Sequence, residues 1–132
     1  MTRVIFLGTP HPSQIKAYNA VLTAQKLALN KLKANISASL PDKIAREYIK
    51  SQGYPLYPHG LGHGIGLAIH EAPRLRTDSR EKLQKNMVFT IEPGIYIQGK
   101  FGIRLEDLVL LKDDGIELLS KSPKTIESII IK

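Results

Sequence analysis

His59-Gly60-Leu61-Gly62-His63-Gly64-Ile65-Gly66 is the stretch on which the fold turns: it sets two histidines on a backbone loosened by four glycines. From Gly53 to Gly66 glycines and prolines dominate, so the chain can turn tightly there and let another group approach closely. Two short motifs follow it, Ile91-Glu92-Pro93-Gly94 and Arg104-Leu105-Glu106-Asp107. His63, Glu92 and Glu106 supply one borderline nitrogen donor and two hard carboxylates, a mix that suits divalent manganese, cobalt, iron or zinc. The three motifs point to metal chemistry.

Working outward, Met87, Phe89 and Ile91 alternate with Val88, Thr90 and Glu92, the period of a strand, so Glu92 projects opposite the Met-Phe-Ile row. Arg104, Glu106 and Leu108 share one face of the next strand, with Ile103, Leu105 and Asp107 on the other. A turn-rich link, Gly94 to Gly102, joins them and can bring the two carboxylates onto adjacent backbones. Towards the amino terminus, Thr2 to Leu7 reads as a strand broken by Gly8-Thr9-Pro10-His11-Pro12. Ser13 is the expected N-cap of a helix to Ala34, with Ile15, Tyr18, Leu22, Gln25, Leu29 and Leu32 as its buried stripe. A second helix is expected from Pro41-Asp42, capped by Asp42, burying Ile44, Ala45, Tyr48 and Ile49 and ended by Gly53. Lys112-Asp113-Asp114-Gly115 signals a hairpin turn and Ile129-Ile130-Ile131 a short closing strand.

The chain's 132 residues fit one domain, large enough for a core and short for a complete two-metal hydrolase. With no cysteine it can form neither a disulfide framework nor a thiolate metal site. No run approaches the roughly 20 apolar residues of a membrane span, and Val4 to Leu7 is too short for a signal peptide. A soluble, cytoplasmic protein is expected, with no membrane partner. The net charge of +7 invites nucleic acid as a partner, but Lys26, Lys31, Lys33, Lys43, Arg46 and Lys50 fall on polar helix faces without an aromatic-interleaved patch, so none is expected.

In its three motifs the chain resembles the pita-bread metallopeptidases, the family of methionine aminopeptidase, aminopeptidase P, Xaa-Pro dipeptidase and creatinase. The resemblance covers nearly all of the sequence and matches the second half of that catalytic domain. It implies an α+β fold, a curved antiparallel sheet with two helices packed on its outer face, and residues 1–132 as a single, partial catalytic domain. Glu92-Pro93-Gly94-Ile95-Tyr96 and Arg104-Leu105-Glu106-Asp107 look like the Xaa-Pro branch, whereas methionine aminopeptidases tend to follow Glu-Pro with Met.

By this resemblance His63, Glu92 and Glu106 are metal ligands, manganese being expected first, with cobalt, zinc or iron as alternatives. Glu92 is also the proton shuttle, while His59 and His70 line the substrate pocket and polarise the scissile carbonyl. The substrate implied is an Xaa-Pro peptide. The family's paired aspartates would lie just upstream of Met1, which suggests truncation or a split gene. Two divalent ions roughly 3.5 to 4 Å apart repel unless carboxylates neutralise them, so two Glu hold one ion at most and the isolated chain is expected to be poorly active or inactive. A non-catalytic remnant or interaction module, a complementary first half and a homo-oligomer stay open as alternatives.

Several neighbouring residues receive plainer readings. His70-Glu71 does not begin a zincin helix, since no histidine follows four residues on and Pro73 intervenes, so Glu71 reads as structural. Arg104 either neutralises Glu106 or Asp107 or touches substrate. Tyr96 either joins a proton network or packs, and His11, between two prolines, reads as exposed and inert.

Overall fold

A computed structural model describes residues 1–132. In chain order the elements are β1 (Phe6–Leu7), α1 (Pro12–Leu29), α2 (Ser39–Ser51), β2 (Gly62–Gly64), β3 (Glu71–Leu75), β4 (Val88–Ile91), β5 (Gly94–Ile97), β6 (Phe101–Arg104), β7 (Asp107–Lys112), β8 (Gly115–Leu118), α3 (Ile126–Ile129) and β9 (Ile130–Ile131). Strands β3-β2-β4-β7-β8 form an antiparallel sheet, β5 and β6 a hairpin, and β1 pairs in parallel with β9. The architecture is α+β. The helix α1 packs on β4, β5 and β6, and α2 packs on α1 and β3.

The ribbon that carries the carboxylates is longer than its strand boundaries suggest. Ile91 pairs with Asp107 across β4 and β7, and Gly94 pairs with Arg104 across β5 and β6. The same register runs through both segments, and it sets Glu92 opposite Glu106. The alternation expected for this region holds across the break: Phe89, Ile91, Ile103, Leu105 and Asp107 are buried, while Glu92, Arg104 and Glu106 line an open cleft. The expected Gly94–Gly102 link is mostly strand; its turn is confined to the few residues around Gly99, whose φ of 72° favours glycine.

The helices depart from their expected limits. The N-cap of α1 is His11: its Nδ1 accepts from the Ser13 N–H at 3.2 Å and its own N–H donates to Gln14 Oε1 at 2.8 Å. His11 is therefore a cap, and an exposed position does not make it inert. The buried face is Ala17, Tyr18, Ala20, Val21, Ala24, Gln25 and Ala28, rotated from the expected stripe because α1 lies between α2 and the sheet and buries two sides. The helix stops at Leu29, as residues 35–38 pair instead with the segment around Leu83, Asn35 N–H donating to Leu83 O at 2.7 Å. In α2, Asp42 is not the cap. It is fully buried in the first turn, and Arg46, expected on the polar face, turns in to meet it.

Candidate metal centre

The histidine is delivered by β2, which lies between β3 and β4 in the five-stranded sheet, and glycine makes that position possible. A Cβ on Gly62 would stand 1.8 Å from the Thr90 carbonyl oxygen, and one on Gly64 would stand 2.0 Å from that of Ala72. With hydrogen in both places β2 lies closely between β3 and β4, and His63 is brought against the polar face of β4. There the Thr90 hydroxyl accepts from the His63 N–H at 3.1 Å and donates to Glu92 Oε1 at 3.0 Å. One buried threonine thus fixes both prospective ligands.

The imidazole of His63 has a defined orientation. Its Nδ1 lies 2.9 Å from the Gly64 carbonyl oxygen, which can only accept, so Nδ1 donates there and Nε2 is the nitrogen turned to the cleft. Nε2 lies 3.2 Å from Glu92 Oε1. His70 joins it edge-on, ring centres 4.3 Å apart.

Glu106 lies across the ribbon from Glu92 and is engaged otherwise. The Thr2 hydroxyl donates to its Oε2 at 2.5 Å and the Met1 amino group lies 3.4 Å from Oε1. Burial pushes the Glu106 carboxyl up, but the Thr2 hydroxyl, the amino group and Arg104 together outweigh it and hold the group below the usual carboxylate range. Arg104 stands between the two acids, with Nε 3.8 Å from Glu92 Oε2 and Nη2 donating to Thr2 Oγ1 at 3.2 Å. It does not neutralise Asp107, which is met by Arg3 and Lys124 instead.

The donor chemistry fits a divalent cation at two points, His63 Nε2 and Glu92, which share one face with their second shell in place. Glu106 lines the same cleft, but no three His, Asp or Glu side chains stand gathered as a ready cage. The three expected ligands are thus brought to one cleft, with two of them in contact and the third turned to Thr2.

Of the accessory histidines, His70 is exposed beside His63 and lines the cleft. His59 has both ring nitrogens engaged within the protein, Nδ1 at 2.7 Å from Gly60 O and Nε2 at 2.7 Å from the Tyr96 hydroxyl. Tyr96 therefore joins a polar network rather than only packing. Burial pushes its phenol up against the pull of Arg104. Glu71 accepts from the Ala68 N–H at 2.7 Å and ties down the loop after β2, a structural role.

A second arm of the cleft has no apolar lining: His59, His63, His70, Arg74, Arg76, Glu92 and Arg104 surround it. Arg74 and Arg76 were not singled out from the sequence. Their spacing of two after Pro73 is the signal that would have found them, since it puts both on one face of an extended segment. Thr90 carried a similar signal, standing on the Glu92 face of its strand.

A curved antiparallel sheet whose ribbon opposes two carboxylates, with a histidine strand beside it and helices packed against it, is a fold of the pita-bread type, and solved structures share it. The X-Pro aminopeptidase of Thermotoga maritima superposes with a TM-score of 0.92 at 43% identity, over 98% of this chain and 36% of that one. The methionine aminopeptidase of Rickettsia prowazekii shares the fold at a TM-score of 0.72 and 19% identity, over 84% of this chain and 54% of that one. In sequence, the Xaa-Pro dipeptidase of Pyrococcus furiosus is 45% identical over 127 residues, 96% of this chain and 36% of the relative. An uncharacterized peptidase of Methanocaldococcus jannaschii is 47% identical over 111 residues, 81% of this chain and 32% of the relative. Residues 1–113 match the model of metallopeptidase family M24, and the chain belongs to that family. It spans about a third of the length of these curated relatives.

Proposed function

We propose that this chain is the cation-binding part of the catalytic domain of an Xaa-Pro peptidase, the second half of that domain, in a reducing compartment such as the cytoplasm. The observation that carries the reading is the His63–Glu92 pair: an imidazole Nε2 3.2 Å from a carboxylate oxygen, on a ribbon that sets Glu106 opposite. Like charges directly across a ribbon are unfavourable unless cations lie near them; Arg104 meets part of that need, and a divalent ion held by His63 and Glu92 would meet the rest. Manganese is the first candidate, then cobalt, zinc or iron, and the donors support a single ion. When bound, the ion would supply an acidified water for attack on the scissile carbonyl.

The chain's own groups divide the remaining work. Glu92 carries the proton from the attacking water to the leaving proline nitrogen. His70, exposed beside His63, donates to the carbonyl oxygen as negative charge develops. Arg74, Arg76 and Arg104 rim an arm of the cleft without apolar lining, which suits the free carboxylate of a dipeptide and favours dipeptidase over aminopeptidase action. His59 and Tyr96 form a fixed wall beside it. A separate polypeptide or second copy completing the site is a second reading, favoured by Ile65, Leu67 and Ile69, exposed on the loop beside His63.

Titration of cobalt(II) into the chain, followed by its visible spectrum, tests the proposal. One equivalent bound by the wild-type chain and lost in His63→Ala and Glu92→Ala is expected. Two ions held tightly, or binding indifferent to both substitutions, would sink the single-ion reading. Hydrolysis of Ala-Pro is expected to be weak in the chain alone and to rise on co-expression with a complementary half.

A further inference from the structure

Beneath the segment that delivers His59 lies a closed polar assembly made by Asp42, Arg46 and Tyr57. Asp42 is fully buried, and its two oxygens accept from Arg46 Nε, each at 3.0 Å. The Tyr57 hydroxyl donates to Asp42 Oδ1 at 2.7 Å. With its Nε spent on Asp42, the guanidinium turns its two Nη groups to the main chain: Nη1 donates to the Tyr57 carbonyl at 2.9 Å and Nη2 to the His59 carbonyl at 2.5 Å. The same guanidinium lies 4.1 Å from the centre of the Tyr57 ring, and that ring stacks on the His59 imidazole with centres 5.0 Å apart. His59 is therefore held twice from α2, at its carbonyl by Arg46 and at its ring through Tyr57.

For packing alone this would be a costly construction, because a buried ion pair adds little over well-packed apolar residues of the same volume. What the ion pair does, and apolar side chains cannot, is hold two successive carbonyl-bearing turns of an irregular segment in one orientation. The consequence appears at the imidazole. The Gly60 carbonyl can only accept, so Nδ1 is protonated, and the Tyr96 hydroxyl then donates to Nε2. Both contacts need the ring at one angle and one height.

We propose that Asp42 and Arg46 are positioning residues that lock His59 into its Nδ1-protonated tautomer, with Nε2 committed to Tyr96 at the wall of the cleft. Neither side chain lines the cleft; they act through the carbonyl of His59 and the ring of Tyr57. The inference rests on reading the cleft as a peptide site, but its test involves neither metal nor substrate, so it can fail or succeed independently of that reading.

The test is long-range proton–nitrogen NMR of the histidine side chains in the 132-residue chain. In the wild type His59 shows the two well-separated ring-nitrogen resonances of a single tautomer, protonated at Nδ1. In Arg46→Gln those resonances draw together towards the exchanging mixture of a free imidazole, while His63, held by its own bond to Gly64, keeps its pattern. Arg46→Lys preserves the charge beside Asp42 and reaches only one carbonyl, so it falls between the two and carries the test if Arg46→Gln does not fold. An unchanged His59 pattern in a folded variant overturns the proposal. So does simultaneous loss of the His59 and His63 patterns, which would mean general loosening.

Discussion

Asp107 stands one residue from Glu106 and belongs to a different chemistry. Glu106 faces the cleft, whereas Asp107 is fully buried, with Arg3 Nη2 at 2.6 Å from Oδ1 and Lys124 on Oδ2. Lys124 also donates to Gln25 Oε1 at 2.9 Å, and the Gln25 amide donates to the carbonyls of Ile91 and Leu105 at 3.0 and 3.1 Å. Those carbonyls immediately precede Glu92 and Glu106, so the buried acid indirectly steadies both cleft carboxylates. Asp107→Ala leaves two cations without their partner in the interior and is expected to cost about 3–5 kcal/mol, read from the urea midpoint. Tyr57 gives a prediction in pH. Burial first, then the adjacent Asp42 charge, pushes its phenol far above the ordinary tyrosine range, and the ring is 2% exposed. A group whose folded pKa is raised contributes stability fully below its unfolded pKa and loses it as pH rises towards the folded value. Tyr57 therefore stabilises the fold up to about pH 10, and that contribution declines above it. Tyrosinate absorbance gained by the folded chain between about pH 9 and 11 is expected to be the same in Tyr57→Phe as in wild type.

Among the elements, β2 is the least tolerant. It holds only Gly62, His63 and Gly64, yet it pairs with both β3 and β4, and its register shifts between His63 and Gly64. Gly62→Ala puts a methyl group 1.8 Å from a main-chain oxygen of β4, where no flexible side chain can give way. Such a clash must separate the strands, and a loss of about 4 kcal/mol or more, or failure to fold, is expected in thermal melts. The ribbon of β4 to β7 shows the opposite character. Period-two patterning made it readable over Met87–Glu92 and Ile103–Leu108, including which face carries Glu92 and Glu106, because one buried face forces the alternation, whereas Gly94 to Gly102 read as a link and is mostly strand. Its division into two hairpin segments was not readable, since the residues at the break keep the same alternation. The end of α1 was equally hidden: the apolar stripe continues to Leu32, but the helix ends at Leu29 and residues 35–38 pair with the Leu83 segment.

At the scale of the whole molecule, no helix is long and apolar enough to cross a membrane. The charge of +7 is partly committed to internal pairs, as Arg3, Arg46 and Lys124 show, and partly gathered as Arg74, Arg76 and Arg104 around the cleft. A small group of guanidinium ions around one cleft suits small carboxylates better than it suits a phosphate backbone, which needs an extended track of charge. Anisotropy with labelled duplex DNA is accordingly expected to show only non-specific binding that disappears by about 0.2 M salt. By itself the sequence singled out His63, Glu92 and Glu106 through three motifs in order, and strand period put both carboxylates on the face that lines the cleft. Only the tertiary structure decided how those donors are held. Thr90 against His63, Gln25 beneath the two carboxylates, and Arg46 under His59 are contacts between residues 13 to 80 positions apart. Such contacts leave no periodic trace, because they depend on where folded backbones meet and not on spacing along any one of them.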